Sequence, residues 1–124
     1  MTSILIADDA PFIREIVRTI ASNNGIDLIG EAADGEEAVE MALRLRPDVI
    51  LMDIVMPRKS GIEATKEILK QIPDARIIAF STADQDLLAT RALEAGCRSF
   101  VAKPFKGEEL VAAIRECAAK AATV

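Results

Sequence analysis

The chain has 124 residues, of which 51% are hydrophobic, and its formal net charge is −5. This length and composition predict a single domain over residues 1–124 with a substantial apolar core. The acidic charge disfavours direct binding of nucleic acid, so basic protein surfaces are the expected partners. No signal peptide and no apolar run of membrane-spanning length is visible, and we expect a cytoplasmic protein without membrane insertion.

The sequence contains no His and no Trp, and it has two cysteines. Cys97 and Cys117 lack the spacing of a metal site, so we interpret both as reduced thiols with a structural role. Any metal ion bound by this chain must therefore be held by oxygen ligands.

Short apolar runs alternate with helical periodicity five times along the chain. Polar residues interrupt the second run, which indicates a strand at the edge of a sheet. Runs without polar alternation suit strands that are covered on both faces, so the pattern predicts an α/β fold, a doubly wound five-stranded parallel sheet with five helices. The predicted strands cover residues 3–7, 26–32, 49–53, 76–81 and 99–102, and the helical apolar faces fall within residues 13–20, 38–45, 62–72, 87–92 and 110–117.

Polar side chains stand at the carboxyl ends of four of these strands, where chemistry in open α/β sheets is located. They are Asp8 with Asp9, Asp53, Ser81 and Lys103.

Three carboxylates brought together repel one another, and a divalent cation would relieve that repulsion. Mg²⁺ fits an oxygen-only site that keeps several waters. Asp53 beside Mg²⁺ and Lys103 is a candidate nucleophile for phosphorus, with the Ser81 hydroxyl as a donor to the transferred group.

Each of these residues also has an ordinary structural explanation. Asp8 or Asp9 could cap the following helix, Asp53 could be a turn residue, the Ser81 hydroxyl could bond to backbone, and Lys103 could be solvated. Four separate strand ends carrying one chemical set favour the functional interpretation.

With these motifs in place, the chain resembles the receiver domain of the response-regulator family from residue 4 to about residue 119. The resemblance rests on motifs that occur in the family's order and spacing. They are Asp8-Asp9, Asp53 followed by Met56-Pro57 and Gly61, Ser81, and Lys103-Pro104-Phe105. It implies the flavodoxin-like strand order 2-1-3-4-5.

The resemblance implies that Asp53 accepts a phosphoryl group from the phosphohistidine of a histidine kinase, or from a small donor such as acetyl phosphate. Mg²⁺ would be held by Asp9 and Asp53, by Asp8 through water, and by the backbone carbonyl of Val55. Such a domain is a phosphoacceptor rather than an enzyme in the usual sense, although it would catalyse its own phosphorylation and dephosphorylation.

The resemblance also implies a switch. Phosphorylation would draw Ser81 inward and let Phe100 turn into the vacated space, changing a face made by the fourth helix, fifth strand and fifth helix. A downstream target protein would bind that face. Ordinary core packing is the alternative for Phe100, and Thr82, directly after Ser81, is a second hydroxyl near the phosphoryl group. The peptide between Lys103 and Pro104 is expected to be cis.

Several alternatives remain open. We expect a stand-alone, monomeric regulator of the CheY type in a chemotaxis pathway, without an output domain. A phosphorelay intermediate and a receiver cut from a larger regulator are the alternatives within the family, and a phosphatase is a further candidate partner. Outside it stand a haloacid-dehalogenase-like phosphatase and a flavodoxin-like binder. We further hypothesise that Val55 and Ala83 control the access of water to the acyl phosphate.

Overall fold

The computed structural model describes residues 1–82 and 86–119. Strands and helices alternate in it without exception: β1 Ser3–Ala7, α1 Pro11–Asn23, β2 Asp27–Ala32, α2 Gly35–Leu45, β3 Val49–Asp53, α3 Gly61–Gln71, β4 Ile77–Thr82, α4 Asp86–Ala95, β5 Ser99–Lys103 and α5 Gly107–Ala119. The strands form one sheet in the order β2-β1-β3-β4-β5, and every neighbouring pair is parallel. The predicted fold and strand order are therefore confirmed.

The observed ends of the elements differ from the predicted ones by small amounts. Helix α1 begins at Pro11, ahead of the apolar residue Ile13, because proline fits the first turn of a helix. Strand β4 extends to Thr82 and strand β5 to Lys103, each one residue beyond its apolar run. Ala83 and residues 120–124 lie outside the part of the chain that the structure describes.

The sheet separates two apolar layers, because successive side chains of a strand point to opposite faces. Leu5 and Ile50 pack in the layer that includes α2, α3 and α4. Ile6 and Leu51 pack in the layer that includes α1 and α5. Strand β3 lies in the middle of the sheet and is buried along its whole length, so Asp53 stands at the end of a strand that is packed on both faces.

Two further expectations concern the cysteines and membrane spans. Cys97 and Cys117 are both buried thiols, as predicted for a structural role. Among residues 1–82 and 86–119, no helix is long and apolar enough to cross a membrane.

The connection from β3 to α3 folds back tightly against the end of β3. The backbone N–H of Gly61 donates to the carbonyl of Ile54 at 3.2 Å, and the side chain of Ser60 caps α3 by accepting from Glu63 N–H. A Cβ atom at position 61 would lie only 2.0 Å from the backbone oxygen of Asp53. Only glycine permits this approach, which fixes where the loop leaves Asp53.

The substitution Gly61→Ala is expected to lower the free energy of unfolding by about 2–3 kcal/mol, because the new methyl group must push against backbone rather than a movable side chain. Gly107→Ala is the matched control, since a Cβ there meets only Ile20 at 3.6 and 3.7 Å, an ordinary contact. Its effect should stay within about 1 kcal/mol. Urea unfolding of both variants checks this, and equal midpoints would contradict the steric explanation.

Candidate functional site

Strand register brings the polar strand ends together. Ala7 pairs with Met52, so Asp8 and Asp53 occupy the next positions on neighbouring strands. Asp53 in turn pairs with Phe80, one residue before Ser81. Thr82 pairs with Lys103 on the following strand. All the residues predicted from the strand ends therefore lie along one edge of the sheet.

The three carboxylates form a cluster at this edge. One oxygen from each of Asp8, Asp9 and Asp53 lies within 4.8 Å of the others. Asp8 is fully buried and Asp53 is 6% exposed, whereas Asp9 is exposed. The cluster therefore has two buried members and one that faces solvent.

Lys103 supplies the positive charge inside this cluster. Its Nζ donates to Oδ2 of Asp8 at 2.7 Å and lies 3.5 Å from Oδ2 of Asp53. The same nitrogen lies 5.8 Å from the centre of the Phe80 ring, which stacks against Phe105. The peptide between Lys103 and Pro104 is cis, as expected. Lys103 is therefore placed between two carboxylates and is not a solvated surface lysine.

Asp8 is held by hydrogen bonds on every side. Its N–H donates to the carbonyl of Ala32 at 3.0 Å, and its Oδ1 accepts from the N–H of Ala10 at 2.9 Å. The residue that caps α1 is Ala10, with no capping bond from a side chain. The alternative explanation of Asp8 or Asp9 as a helix cap is therefore wrong.

Asp53 has a perturbed acidity. Burial is the largest cause that raises its pKa from an ordinary value of 3.8 to about 6, and the negative charge of Asp8 adds to it. Lys103 and the hydrogen bond from Val55 N–H act in the opposite direction. The surroundings of Asp53 therefore disfavour its ionised form, as is common for carboxylates at functional sites.

Ser81 and Phe100 lie in contrasting environments. Ser81 is 2% exposed, whereas Phe100 on the edge strand β5 is 49% exposed. The explanation of Phe100 as an ordinary core residue is therefore wrong. The side chain of Val55, two residues after Asp53, is 48% exposed.

One residue at the site was not singled out from the sequence. Arg14 on α1 donates from Nη1 to the backbone carbonyl of Asp8 at 2.7 Å. The sequence signals were an arginine close after the acidic pair and Glu31 among the polar residues that interrupt the second strand. In the structure the Arg14 and Glu31 side chains approach to 3.5 Å. Neither signal shows that the two residues meet.

A large cavity lies beside the carboxylate cluster without including it. It has a volume of about 730 Å³ and lies between α3 and α4, lined by residues such as Ile62 and Leu88. Ile54, Val55 and Met56 are also on its wall, so the segment that directly follows Asp53 links the cavity to the neighbourhood of this carboxylate. The chemistry described above belongs to the carboxylate edge and not to this cavity.

The donor set at the carboxylate edge fits Mg²⁺. Carboxylate oxygens are hard ligands of the kind this ion prefers, and a site open on one side lets it keep several waters. Asp8, Asp9 and Asp53 provide such oxygens within one small volume, and Asp9 is open to solvent.

Comparison with known proteins identifies the family. The model of the response regulator receiver domain matches residues 4–115. The chain belongs to this family. Receiver domains are phosphoacceptor switch domains of two-component systems, are phosphorylated by histidine kinases, act on downstream targets and bind Mg²⁺ at their acidic pocket. The family match favours the receiver prediction over a flavodoxin-like binder or a haloacid-dehalogenase-like phosphatase.

Similar proteins include one that the chain matches over nearly its whole length and one that it matches over about half. Chemotaxis protein CheY of Thermotoga maritima is 42% identical over 113 residues, covering 91% of this chain and 94% of CheY. Response regulator GacA of Pseudomonas aeruginosa is 36% identical, and the chain spans 55% of its length.

Solved structures agree with this fold. The response regulator domain of Thermotoga maritima CheB has a TM-score of 0.89 at 35% identity and covers 98% of both chains. The CheX–CheY–BeF3–Mg²⁺ complex from Borrelia burgdorferi has a TM-score of 0.89 at 29% identity, covering 96% of this chain and 90% of that one.

The raised pKa of Asp53 predicts a pH-dependent effect on stability. The folded protein holds the Asp53 proton up to about pH 6, whereas the unfolded chain releases it near the ordinary value of 3.8. The ionised group therefore lowers stability above pH 6, and this penalty disappears as the pH falls.

In the absence of divalent cations, Asp53→Asn should therefore raise the free energy of unfolding at about pH 8 by roughly 1 kcal/mol, allowing for solvent screening. The gain should shrink as the pH falls through 6 towards 4. Urea unfolding of both proteins across this range in a chelating buffer measures it. A gain that does not change with pH would contradict burial of the charge as the cause.

Proposed function

We propose that this receiver domain accepts a phosphoryl group on Asp53 and changes a protein-binding surface in response. The observation that carries the proposal is the position of Lys103 Nζ, within 2.7 Å of Asp8 and 3.5 Å of Asp53. A nucleophilic carboxylate beside a fixed ammonium group and two further acidic residues suits phosphoryl transfer, which depends mainly on positioning and charge stabilisation.

In the proposed reaction an Asp53 carboxylate oxygen attacks phosphorus while the bond from phosphorus to the donor breaks. The donor is the phosphohistidine of a histidine kinase, or acetyl phosphate, and the bonding electrons leave with it. The ammonium group of Lys103 stabilises the negative charge of the transferred phosphoryl group. The hydroxyl of Ser81 donates a hydrogen bond to one phosphoryl oxygen. Asp9, Asp53 and the Val55 carbonyl would hold Mg²⁺ directly and Asp8 would hold it through water, and the ion would spread the negative charge in the transition state.

The same residues would also support the removal of the phosphoryl group from Asp53. A water oxygen attacks phosphorus while the bond from phosphorus to Asp53 breaks, so that inorganic phosphate leaves and Asp53 returns to a free carboxylate; the chain promotes both steps with the same groups. Val55 is two residues after Asp53 and half exposed, so its side chain would limit the access of water to this bond. Its suggested partner in this role, Ala83, is outside the described residues.

The proposed output is a rearrangement around β5. Ser81 is buried next to the reacting group, and Phe100 is half exposed on the strand that also carries Lys103. An inward movement of Ser81 towards the phosphoryl group leaves room for the Phe100 ring. The face formed by α4, β5 and α5 then changes shape, and a downstream target protein binds it.

The partners follow from this mechanism. They are a histidine kinase as donor, a target protein and a phosphatase of the acyl phosphate, with no direct contact to nucleic acid. We propose a monomeric, cytoplasmic regulator of the chemotaxis type, since the CheY of Thermotoga maritima matches over nearly its whole length. The match to about half of GacA supports the second candidate, a receiver that works within a larger regulator or a phosphorelay.

Incubation with Mg²⁺ and acetyl phosphate should add one labile phosphoryl group to the wild-type protein and none to Asp53→Asn. Intact mass and a phosphate-affinity gel measure this directly, which suits a chain without Trp. Asp48→Asn is the matched control, because this aspartate is exposed and bonds to Ser3 N–H at the opposite end of β3. Absence of modification in wild type, with a histidine kinase as well as with acetyl phosphate, would sink the proposal.

Mg²⁺ should also stabilise the folded protein. At ten times its dissociation constant it should raise the free energy of unfolding by about 1.4 kcal/mol, since only the folded chain presents the three carboxylates together. Asp9→Asn should reduce this gain, whereas Asp74→Asn at an exposed position after α3 should keep it. Unfolding with and without a chelator provides the measurement, and equal gains in both variants would speak against Asp9 as a ligand.

A further inference from the structure

Arg14 reaches from α1 back to the end of β1. Its Nη1 donates to the backbone carbonyl of Asp8 at 2.7 Å, and its side chain is only 20% exposed. That carbonyl belongs to the peptide that joins Asp8 to Asp9. Arg14 therefore contacts the backbone between two members of the carboxylate cluster.

Glu31 on β2 holds Arg14 in this position. Its Oε1 lies 3.5 Å from Nε of Arg14. Arg18 shares this carboxylate, with its Nε and Nη2 at 2.9 to 3.1 Å from the Glu31 oxygens, whereas the bond from Arg14 to the Asp8 carbonyl does not involve Arg18. Since Glu31 pairs with Ile6 across the sheet, the chain of contacts ties α1 and β2 to the end of β1.

The two carboxylates beside this peptide are not equally anchored. The Asp8 side chain is bound by Lys103 and by Ala10 N–H, so it stays in place without Arg14. The Asp9 side chain is exposed and accepts no hydrogen bond from the described residues. Its direction therefore depends on the orientation of the peptide that precedes it.

We propose that Arg14 is a positioning residue for the metal site, acting by fixing the Asp8–Asp9 peptide and thereby aiming the Asp9 carboxylate into the cluster. The proposal rests on the Mg²⁺-dependent phosphorylation of Asp53 described above. Arg14 itself contacts neither the ion nor the phosphoryl group. Partners that orient metal ligands in this way commonly change metal affinity by 10-fold or more.

An electrostatic role and a positioning role of Arg14 predict opposite changes in Mg²⁺ affinity when this residue is replaced. Removing a positive charge close to three carboxylates would, by electrostatics alone, strengthen Mg²⁺ binding. Loss of the bond that fixes the Asp8–Asp9 peptide would instead weaken Mg²⁺ binding. Arg18 offers the matched control, because it shares the helix, the charge and the partner Glu31. Its side chain is 57% exposed, and among the described residues its hydrogen bonds and ion pair go to Glu31 rather than to Asp8.

The test compares Arg14→Met and Arg18→Met by calorimetric titration with Mg²⁺. Arg14→Met should raise the dissociation constant about 10-fold, while Arg18→Met should leave it unchanged or lower it. The Mg²⁺ concentration that gives half the maximal rate of phosphorylation by acetyl phosphate should shift by the same factor. At saturating Mg²⁺ the phosphorylation rate of Arg14→Met should equal that of wild type. A general loss of folding would lower this rate at every Mg²⁺ concentration.

Equal dissociation constants in the two methionine variants, or tighter binding in Arg14→Met, would overturn the proposal. If Arg14→Met does not fold in urea-free buffer, Arg14→Lys carries the test. It keeps the charge but has one nitrogen in place of the two, Nη1 and Nε, that face the Asp8 carbonyl and Glu31. A dissociation constant equal to that of wild type in Arg14→Lys would then overturn it. Failure of wild type to bind Mg²⁺ or accept phosphoryl would instead remove the proposed function and this inference with it.

Discussion

Three carboxylates that meet at one edge of a sheet repel one another, and a single ammonium group offsets that repulsion. At about 4 Å and an effective dielectric constant near 20, each pair of charges costs about 4 kcal/mol. Lys103 lies closer to Asp8 than to Asp53, so most of its compensation goes to the fully buried aspartate. Asp53 keeps a share of the repulsion, which is one reason why its pKa is raised to about 6. The unequal sharing separates the anchored carboxylate of Asp8 from the carboxylate of Asp53, whose acidity is perturbed.

The sheet makes this arrangement possible because its central strand is buried on both faces. Strand β3 carries Asp53 out of the core, and the close approach of Gly61 to the Asp53 carbonyl fixes the loop that follows. The outer strand β5 has a different character, since it brings Lys103 into the cluster while leaving Phe100 half exposed. The centre of the sheet is thus fully buried, whereas its outer strand β5 combines a buried contact at Lys103 with an exposed ring at Phe100.

Periodicity and strand ends were enough to predict the sheet, its helices and the cluster of Asp8, Asp9, Asp53 and Lys103, because apolar runs mark buried strands and parallel strands end at one edge. The strand order required the family resemblance. The environment of Phe100 could not be predicted, because an aromatic in an apolar run looks the same on a central and an edge strand. Arg14 was missed because its contact with Asp8 depends on how α1 packs, and the partner Glu31 comes from a different strand.

The aromatic composition gives this chain an unusual spectroscopic property. It has four phenylalanines and neither Trp nor Tyr, and the four rings occupy four different environments. Phe12 is exposed on α1, Phe80 is buried beneath Lys103, Phe105 stacks on Phe80, and Phe100 lies on the edge strand. A chain labelled with fluorophenylalanine would therefore carry one resonance for each region, so that events at the acidic cluster, at β5 and on α1 are read separately and without any substitution.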